Sequence, residues 1–473
     1  MARETPARRG PESRPIPLTR PGRSDISPLS VARSYFIHTF GCQMNESDSQ
    51  RMGEALARAG WRPSAAADGA DLVLVNTCAI REKAEDKLFS ALGRYRLLKA
   101  RRGTRIGVAG CVAQQEKDKL LSRAPFVDFV LGPDHLEKVP ELAETGGVET
   151  GFLDTEQYVF PRADPETSRG RATAFVTAMK GCDNVCSFCV VPYTRGREVS
   201  RPYAEIVREV ASLAGIGIRE VTLIGQNVNA YAGGCSFADL VRRVAAVPGV
   251  LRIRFTTSHP MDLSADLVRC FAEVPQLMPH FHLPVQHGAD SVLERMRRKY
   301  TIAQYEERIA SLPEQVALTS DIICGFPGET EDEHRQNLEF LRRTAYDNLF
   351  SFLYSPRPHT AAILKLREWG EVPRALGLRR LEEVQALQME RTLRRHRERI
   401  GSVVEVLAEE PGFGRSRENW TVHFDGDAGA GDLVWVRVDS ATLVSLRGAQ
   451  VRTVDRAPRT QSSPKRRLTV VSA

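Results

Sequence analysis

Nine residues, Gly181-Cys182-Asp183-Asn184-Val185-Cys186-Ser187-Phe188-Cys189, decide the architecture of this 473-residue chain. They place three cysteines in a C-x3-C-x2-C spacing directly after an apolar run, Ala174–Met179, that predicts a β-strand. Three thiolates on one loop can ligate three irons of a cubane. A zinc site normally needs a fourth protein ligand, and neither Cys nor His occurs in the forty residues after Cys189. The spacing therefore predicts a [4Fe–4S] cluster with one iron open to a small ligand.

A repeated strand–helix pattern continues from this loop to about Pro356. Apolar runs predict the strands, and helical stretches such as 203–214 and 331–343 lie between them. Six such units form an incomplete version of the eight-unit barrel, in which the chemistry lies at the C-terminal ends of the strands. We therefore predict an open (β/α)6 barrel within residues 168–399. Its strands are predicted at Ala174–Met179, Glu220–Gly225, Leu251–Thr256, Met278–Val285, Ala317–Cys324 and Leu349–Tyr354.

Residues 34–150 show the same alternation and predict a doubly wound parallel sheet. Cys42, Cys78 and Cys111 each follow one of its first three predicted strands. Because loops after the carboxyl ends of parallel strands meet at one edge, these thiols can converge on a second cluster. Singly, each also fits the usual role of a lone cysteine as a small buried hydrophobe. That packing role is the one we assign to the remaining cysteines: Cys235, Cys270 and Cys324.

Other segments flank these two units. Residues 1–33 are rich in Arg and Pro and predict a disordered basic arm. A mitochondrial transit peptide is the competing interpretation, although six prolines would break the amphipathic helix that it requires. A polar linker is expected near 145–171 and a long charged helix at 373–400. Alternating residues and Gly-rich turns in 401–455 predict a small antiparallel β-barrel, followed by a basic tail at 456–473.

Composition excludes several classes of protein. The chain is 42% hydrophobic and 26% charged, which is ordinary for globular proteins. It contains no apolar run of about 18 residues, so we expect no membrane span. The N-terminus lacks the apolar stretch of a secretory signal, and nine cysteines are too few for a disulfide scaffold. We therefore expect a cytoplasmic protein with reduced thiols; its net charge of +7 is compatible with a nucleic-acid partner.

Several motifs together identify a family. The cysteine loop after a first barrel strand resembles the radical S-adenosylmethionine (SAM) enzymes. Over about residues 34–455 the chain resembles the methylthiotransferases of that superfamily, and within them the branch that acts on tRNA. The strings that carry this resemblance are Thr39-Phe-Gly-Cys-Gln-Met-Asn45, Val75-Asn-Thr-Cys78, Gly110-Cys111, Gly181-Cys182 through Cys189-Val-Val-Pro-Tyr-Thr-Arg-Gly196, Gly225-Gln-Asn-Val-Asn229, Thr256-Thr-Ser-His-Pro260 and Tyr354-Ser-Pro-Arg-Pro358.

The resemblance implies a reaction and its cofactors. The expected reaction places a methylthio group on carbon 2 of N6-isopentenyladenosine at position 37, next to the anticodon. Two [4Fe–4S] clusters are implied, together with two SAM molecules per turnover. The cluster on Cys182, Cys186 and Cys189 would cleave SAM, and the auxiliary cluster on Cys42, Cys78 and Cys111 would hold the transferred sulfur. The TRAM-like terminal barrel is expected to bind RNA.

The resemblance also implies partners, and it leaves alternatives open. The partners are the tRNA anticodon loop, a flavodoxin- or ferredoxin-like electron donor and sulfur-delivery proteins. Related enzymes act on threonylcarbamoyl-adenosine in tRNA or on an aspartate of a ribosomal protein, and the Cys-Gln-Met-Asn string argues against both. A non-catalytic iron–sulfur RNA-binding protein is a further alternative, which the six-strand barrel with its open cluster disfavours.

Two loops at strand ends are expected to line a SAM pocket. Gly225, Gln226 and Asn227 end the second predicted barrel strand, whereas Gly325 and Glu329 follow the fifth. A glycine at a strand end lets the backbone approach a ligand closely. The competing interpretation is that these glycines only make tight β/α turns.

Basic residues predict contacts with RNA. Arg415, Arg417 and Trp420 combine charge with an aromatic ring on the terminal barrel, a pattern that is typical of RNA binding. His423 and Arg447 lie in the same barrel, and a charged surface without a partner is the alternative. A second basic group follows the cysteine loop: Arg195, Arg197 and Arg201. These guanidinium groups are expected to hold RNA phosphate or a cofactor carboxylate. The alternative is a solvated loop without a ligand.

Two positions depart from the family pattern. His287 stands where the family usually has Ser, and His359 stands where it usually has Gly. The contacts of these side chains are therefore left open. His282 and Gln286, on the fourth predicted strand, are assigned no role, because a lone inward histidine is more often a hydrogen-bonded core residue than a ligand.

Overall fold

A computed structural model describes residues 33–79, 84–156, 158–161, 163–457 and 470–472. The basic arm predicted over 1–33 lies outside these residues except for its last position. In the described part of the chain, no helix combines the length and apolar character that crossing a membrane requires.

The N-terminal part is a parallel sheet with helices on both faces. Its elements, in chain order, are β1 (Ser34–Phe40), α1 (Gln43–Arg58), β2 (Arg62–Pro63), β3 (Leu72–Thr77), α2 (Ala84–Arg102), β4 (Arg105–Gly110), α3 (Cys111–Glu116), α4 (Asp118–Arg123), β5 (Phe129–Leu131), α5 (Val139–Thr145) and β6 (Gly147–Glu149).

The strand order β2-β1-β3-β4-β5-β6 confirms the doubly wound prediction. Side chains of α1 and α5 pack on one face of the sheet, and those of α2, α3 and α4 pack on the other. Chain connections reverse direction between β1 and β3, and such a reversal opens a crevice at the carboxyl ends of the two strands. The crevice therefore lies where Cys42 and Cys78 emerge.

The central part carries the cysteine loop. Its elements are β7 (Thr173–Thr177), β8 (Met179–Lys180), α6 (Val191–Arg195), β9 (Val199–Ser200), α7 (Tyr203–Gly215), β10 (Glu220–Ile224), α8 (Phe237–Ala245), β11 (Arg252–Phe255), α9 (Ala265–Glu273), β12 (His280–His282), α10 (Asp290–Arg295), α11 (Ile302–Ala310), β13 (Ala317–Cys324), α12 (Glu331–Arg343), β14 (Asn348–Leu353), α13 (Ala361–Leu364), α14 (Leu366–Trp369) and α15 (Arg374–Arg397).

Six of these strands form the predicted open barrel. Strands β7, β10 and β11 pair in parallel, as do β12, β13 and β14, and a parallel bridge from Ile253 to Leu277 joins the two sets. The largest apolar core lies between this sheet and its surrounding helices. The concave face lies on the side of the sheet opposite these helices.

The C-terminal part is a closed five-stranded barrel. Its strands are β15 (Val403–Glu410), β16 (Phe413–Ser416), β17 (Thr421–Asp425), β18 (Leu433–Ala441) and β19 (Leu446–Asp455), in the order β15-β16-β17-β19-β18. All pairs are antiparallel, as predicted, except the parallel pair of β17 and β19. The segment predicted as a basic tail contains a strand that was not predicted, β20 (Val470–Ser472), which pairs in parallel with β1.

Candidate active site

The cysteine loop leaves the central barrel between β8 and α6. Gly181 opens it with a φ of +71°, and a Cβ there would lie 2.0 Å from the carbonyl oxygen of Arg197. Only glycine therefore fits this close approach. The backbone N–H of Gly181 donates to Oε1 of Gln226 at 2.5 Å, and that of Cys182 donates to the carbonyl of Gly196 at 3.3 Å. These contacts fold the loop back on itself beneath its thiols.

The three thiols of the loop face one another. Burial and the neighbouring sulfurs of Cys186 and Cys182 raise the pKa of the Cys189 thiol to about 12. Burial likewise raises the pKa of Cys182, although Asn184 Nδ2 lies 3.6 Å from its sulfur and opposes the rise. Nη1 of Arg298 donates to Cys186 Sγ at 3.4 Å. Crowded thiols of this kind ionise readily only beside strong positive charge, which the irons of a cluster supply.

The second cysteine triplet also converges. Cys42 precedes α1, Cys78 follows β3, and Cys111 opens α3. A hydrogen bond with Cys78, opposed by burial and assisted by the charge of Arg195, lowers the pKa of the Cys42 thiol to about 6. Cys42 Sγ also donates to Oδ1 of Asn45 at 3.3 Å. The tertiary structure thus brings together three thiols that are distant in sequence.

A single metal ion and a cluster place different demands on the two thiol triplets. Among the described residues, no three His, Cys, Asp or Glu side chains form a ligand set for a single metal ion. A cubane makes a different demand, because each thiolate binds its own iron. Each triplet has a cationic side chain within reach of one of its sulfurs: Arg298 beside Cys186 and Arg195 beside Cys111.

Arg195 joins the two triplets physically. It ends α6, six residues after the last cysteine of the loop, yet its Nε lies 3.3 Å from Cys111 Sγ in the N-terminal part. Its Nη2 pairs with Asp48 Oδ2 of α1 at 2.7 Å, and both side chains are buried. Burial raises the pKa of the Cys111 thiol, whereas Arg195 opposes that rise. The guanidinium is thus a fixed positive charge beside the second triplet.

Arg195 and Arg201 match neither the predicted phosphate contact nor the solvated alternative, because both pair with carboxylates inside the protein. Arg201 is buried, and its Nη1 donates to Glu209 Oε2 at 2.5 Å, so neither guanidinium is free for RNA or for a cofactor carboxylate. Arg197 is exposed and pairs with Asp183, which matches the solvated alternative.

Further buried ion pairs hold the N-terminal sheet against the central barrel. Arg51 of α1 pairs with Glu209 of α7 at 2.5 Å, and Lys180 pairs with Asp134 at 2.5 Å. The ring of Tyr158 lies 3.8 Å beneath the Lys180 ammonium group. Because unpaired charges would be costly at such buried positions, these contacts specify how the two parts meet.

The first predicted SAM loop lies beside the cysteine loop. A Cβ on Gly225 would meet Met179 Cγ at 2.5 Å, so this glycine is needed for close packing. Gln226 holds the start of the cysteine loop, as described above. Asn227 donates through Nδ2 to Asp262 Oδ2 at 2.8 Å, while its buried Oδ1 has no hydrogen-bond partner among the described residues. That orphaned acceptor can take a donor from a bound ligand.

The carboxyl group of Glu198, beside this loop, was not predicted from the sequence as a site residue. Burial, together with the charges of Asp183 and Asp262, raises the pKa of the Glu198 carboxyl to about 7. Its backbone N–H donates to Asp183 Oδ1 at 3.1 Å, which keeps it next to the cysteine loop. A cluster of carboxylates that repel one another favours a cationic ligand. SAM, which carries a sulfonium and an ammonium group, is such a ligand.

The second predicted SAM loop is organised by Glu329. Its Oε2 accepts the backbone N–H groups of Gly325 at 2.5 Å and Phe326 at 3.1 Å. Burial would raise the pKa of this carboxyl, but contacts with His287 and His334, with Arg380 nearby, hold it well below its usual range. The Glu329 carboxylate therefore fixes the backbone conformation of the loop that begins at Gly325.

The two departures from the family pattern have visible consequences. His287 is fully buried, with Nε2 3.5 Å from Glu329 Oε1 and Nδ1 accepting the N–H of Ala289 at 3.1 Å. His359 has a φ of +66°, a left-handed conformation in which glycine is less strained, and its ring lies 5.9 Å from that of Tyr193.

The residues predicted to contact RNA have partners within the protein. Arg415 pairs with Glu409, Arg417 Nη2 donates to the carbonyl of Pro275 at 3.3 Å, and Trp420 lies under the guanidinium of Arg399 at 4.6 Å. Their RNA contacts stay a prediction.

The end of β16 docks on strand β11 of the central barrel. Arg252 donates to the carbonyl of Arg415 at 2.8 Å, and Arg254 donates to that of Ser416 at 2.7 Å. This segment is therefore part of an internal interface.

Comparisons with known proteins place these features in context. Residues 34–132 match the uncharacterized protein family UPF0004, and residues 176–341 match the Radical SAM superfamily. The tRNA-2-methylthio-N(6)-dimethylallyladenosine synthase of Myxococcus xanthus is 56% identical over 435 residues, which cover 89% of this chain and 94% of that protein. The protein of that name from Geobacter metallireducens is 46% identical over 436 residues, covering 87% of this chain and 97% of that protein.

A solved structure shares the fold. It is a radical S-adenosylmethionine methyltransferase from Kitasatospora setae, determined with cobalamin and a [4Fe–4S] cluster bound. The TM-score is 0.53 at 15% identity, and the match covers 71% of this chain and 78% of that chain.

Proposed function

The chain belongs to the family of tRNA-2-methylthio-N(6)-dimethylallyladenosine synthases, and from this premise we propose how its residues share the reaction. The enzyme is a radical SAM transferase that adds a methylthio group to carbon 2 of N6-dimethylallyladenosine at position 37 of tRNA. It uses SAM and a [4Fe–4S] cluster, in keeping with its superfamily. The observation that carries the proposal is the pair of converging thiol triplets joined by Arg195.

Cys182, Cys186 and Cys189 would hold the cluster that binds SAM. When bound, this cluster and SAM supply a carbon radical, which can attack the unactivated C2–H bond that acid–base side chains do not break. Gly181 and Gln226 fold the loop, and Arg298 places positive charge beside Cys186. These residues would orient the thiolates.

Cys42, Cys78 and Cys111 would hold the auxiliary cluster, which supplies the transferred sulfur. Its support is the shared crevice at the carboxyl ends of β1, β3 and β4, where the three thiols meet. Arg195, kept in place by Asp48, would favour the ionised form of Cys111.

The SAM pocket would lie between the first glycine loop and the acidic group. Asn227 Oδ1 would accept a hydrogen bond from the SAM amino group, and Glu198 would compensate its positive charge. Gly325, shaped by Glu329, would leave room for the adenosyl part.

Partners follow from this chemistry. The anticodon loop would enter from the concave face, since single-stranded bases are displaced into a pocket more easily than paired ones. A flavodoxin- or ferredoxin-like donor would deliver the electron, and sulfur-delivery proteins would restore the transferred sulfur. A tRNA substrate supports a cytoplasmic location.

Mass spectrometry of tRNA nucleosides tests the proposal. A deletion strain should lack 2-methylthio-N6-dimethylallyladenosine, the parent gene should restore it, and variants with either cysteine triplet replaced by Ala should not. Unchanged levels of this nucleoside in the deletion strain would refute the function, and restoration by the Cys42/Cys78/Cys111 variant would refute the auxiliary cluster.

A further inference from the structure

Two phenylalanines on the last barrel strand are half exposed although they lie on its concave face. Phe350 and Phe352 are 49% and 45% exposed. Their neighbour Leu349 packs with the main core beneath the helices. Because side chains alternate along a strand, the two rings point to the opposite side of the sheet, into the open barrel.

The register of β14 confirms this direction. Phe350 pairs with Asp321, and Phe352 pairs with Ile323, on the adjacent strand β13. Ile323 packs in an apolar cluster that includes Phe188 of the cysteine loop. Phe352 therefore pairs with a residue that packs against the same apolar cluster as Phe188 of the cysteine loop.

Polar groups border the two rings. The ring centre of His282, on β12, lies 5.8 Å from that of Phe350. Its Nδ1 lies 3.0 Å from Thr319 Oγ1, and its Nε2 lies 3.6 Å from Asp321 Oδ1. The imidazole is thus held in place with a carboxylate beside it.

We propose that Phe350 and Phe352 receive the N6-dimethylallyl-adenine of the substrate tRNA, an inference that rests on the proposed function. Exposed phenyl rings are unfavourable in water, and both a purine face and a branched five-carbon tail cover them well. His282 and Asp321 offer hydrogen-bonding groups to the purine edge. The pair is the specificity determinant that separates the alkylated base from plain adenine.

A binding experiment tests this assignment. Full-length reconstituted protein is titrated with two anticodon stem-loops that differ only in the dimethylallyl group. The parent should bind the alkylated stem-loop more tightly, and the Phe350→Ala/Phe352→Ala double variant should lose about tenfold or more of that preference. Leu97→Ala, which removes a 52% exposed side chain on the outer helix α2, should keep it.

Two controls keep the result decisive. The first control is the iron content of every variant. If the double Ala variant loses iron, the variants Phe350→Leu and Phe352→Leu are used in its place. These substitutions keep the apolar volume but remove the aromatic face. A parent that does not distinguish the stem-loops, or variants that keep the parental preference, overturns the inference. Product formation by the parent on the alkylated stem-loop is scored separately, so failure of the proposed function is recognised independently.

Discussion

Nε of Arg195 lies 3.3 Å from Cys111 Sγ, so a residue of the radical SAM barrel contacts a thiol of the N-terminal sheet. The same guanidinium pairs with Asp48 at 2.7 Å in a buried position. Because Arg195 follows the first thiol triplet by only a few residues, it ties the geometry of one triplet to that of the other. Replacing Arg195 therefore tests how much this ion pair stabilises the interface between the N-terminal sheet and the central barrel.

Arg195→Gln should destabilise the protein and its auxiliary site. Removing one partner leaves Asp48 buried without its counter-ion, which costs about 3–5 kcal/mol. Thermal unfolding should show this loss, and the double variant Arg195→Gln/Asp48→Asn should lose less than the sum of the single variants. The exposed Arg197→Gln is the matched control, and its unfolding temperature should barely change. Equal effects of Arg195→Gln and Arg197→Gln would contradict the buried pairing.

Iron content should divide equally between the triplets. Anaerobically reconstituted parent should hold about eight irons, and each triple Cys→Ala variant should hold about four. The variant without Cys42, Cys78 and Cys111 should still cleave SAM under dithionite but form no methylthiolated tRNA. If that variant retained all the parental iron, the auxiliary cluster would not exist.

Glu198→Gln should weaken SAM binding in a pH-dependent way. The raised pKa of about 7 means that the carboxyl is largely neutral at pH 6 and ionised at pH 8. The difference in SAM affinity between parent and variant should therefore grow as the pH rises through 7. Calorimetry at both pH values measures it, with Glu205→Gln, a partly exposed residue on α7, as control. A difference that shrinks with rising pH would show that Glu198 does not face the cation.

Arg447→Gln should weaken tRNA binding more than Arg415→Gln does. Arg447 is exposed on β19 next to His423 and makes no ion pair with any residue that the structure describes, whereas Arg415 is paired with Glu409. Losing one phosphate contact should reduce the slope of log K against log salt by about 0.7–0.9. Filter binding at several salt concentrations checks this. A larger effect of Arg415→Gln would contradict this ranking.

Much of the architecture was predictable because it repeats a local pattern. The six strands of the central barrel follow from apolar runs, and the structure has a strand at each of them; the C-terminal barrel as a whole follows from alternation and Gly-rich turns, and the structure confirms that it is a small barrel. The two-residue strand β2 was not predicted, since a segment that short has no periodicity. Yet β2 lies beyond β1 and creates the reversal that opens the crevice for Cys42 and Cys78.

Sequence by itself determined the chemistry of this protein. Three cysteines at separate strand ends, three more on one loop and the motifs around them are local features whose positions follow from short-range patterns. Only the tertiary structure decided which charges are free. Arg195 and Arg201 are adjacent to the cysteine loop in sequence, but both guanidinium groups are paired with carboxylates of other elements. Ion pairs between distant segments form where packing removes water, and no local pattern encodes that long-range burial.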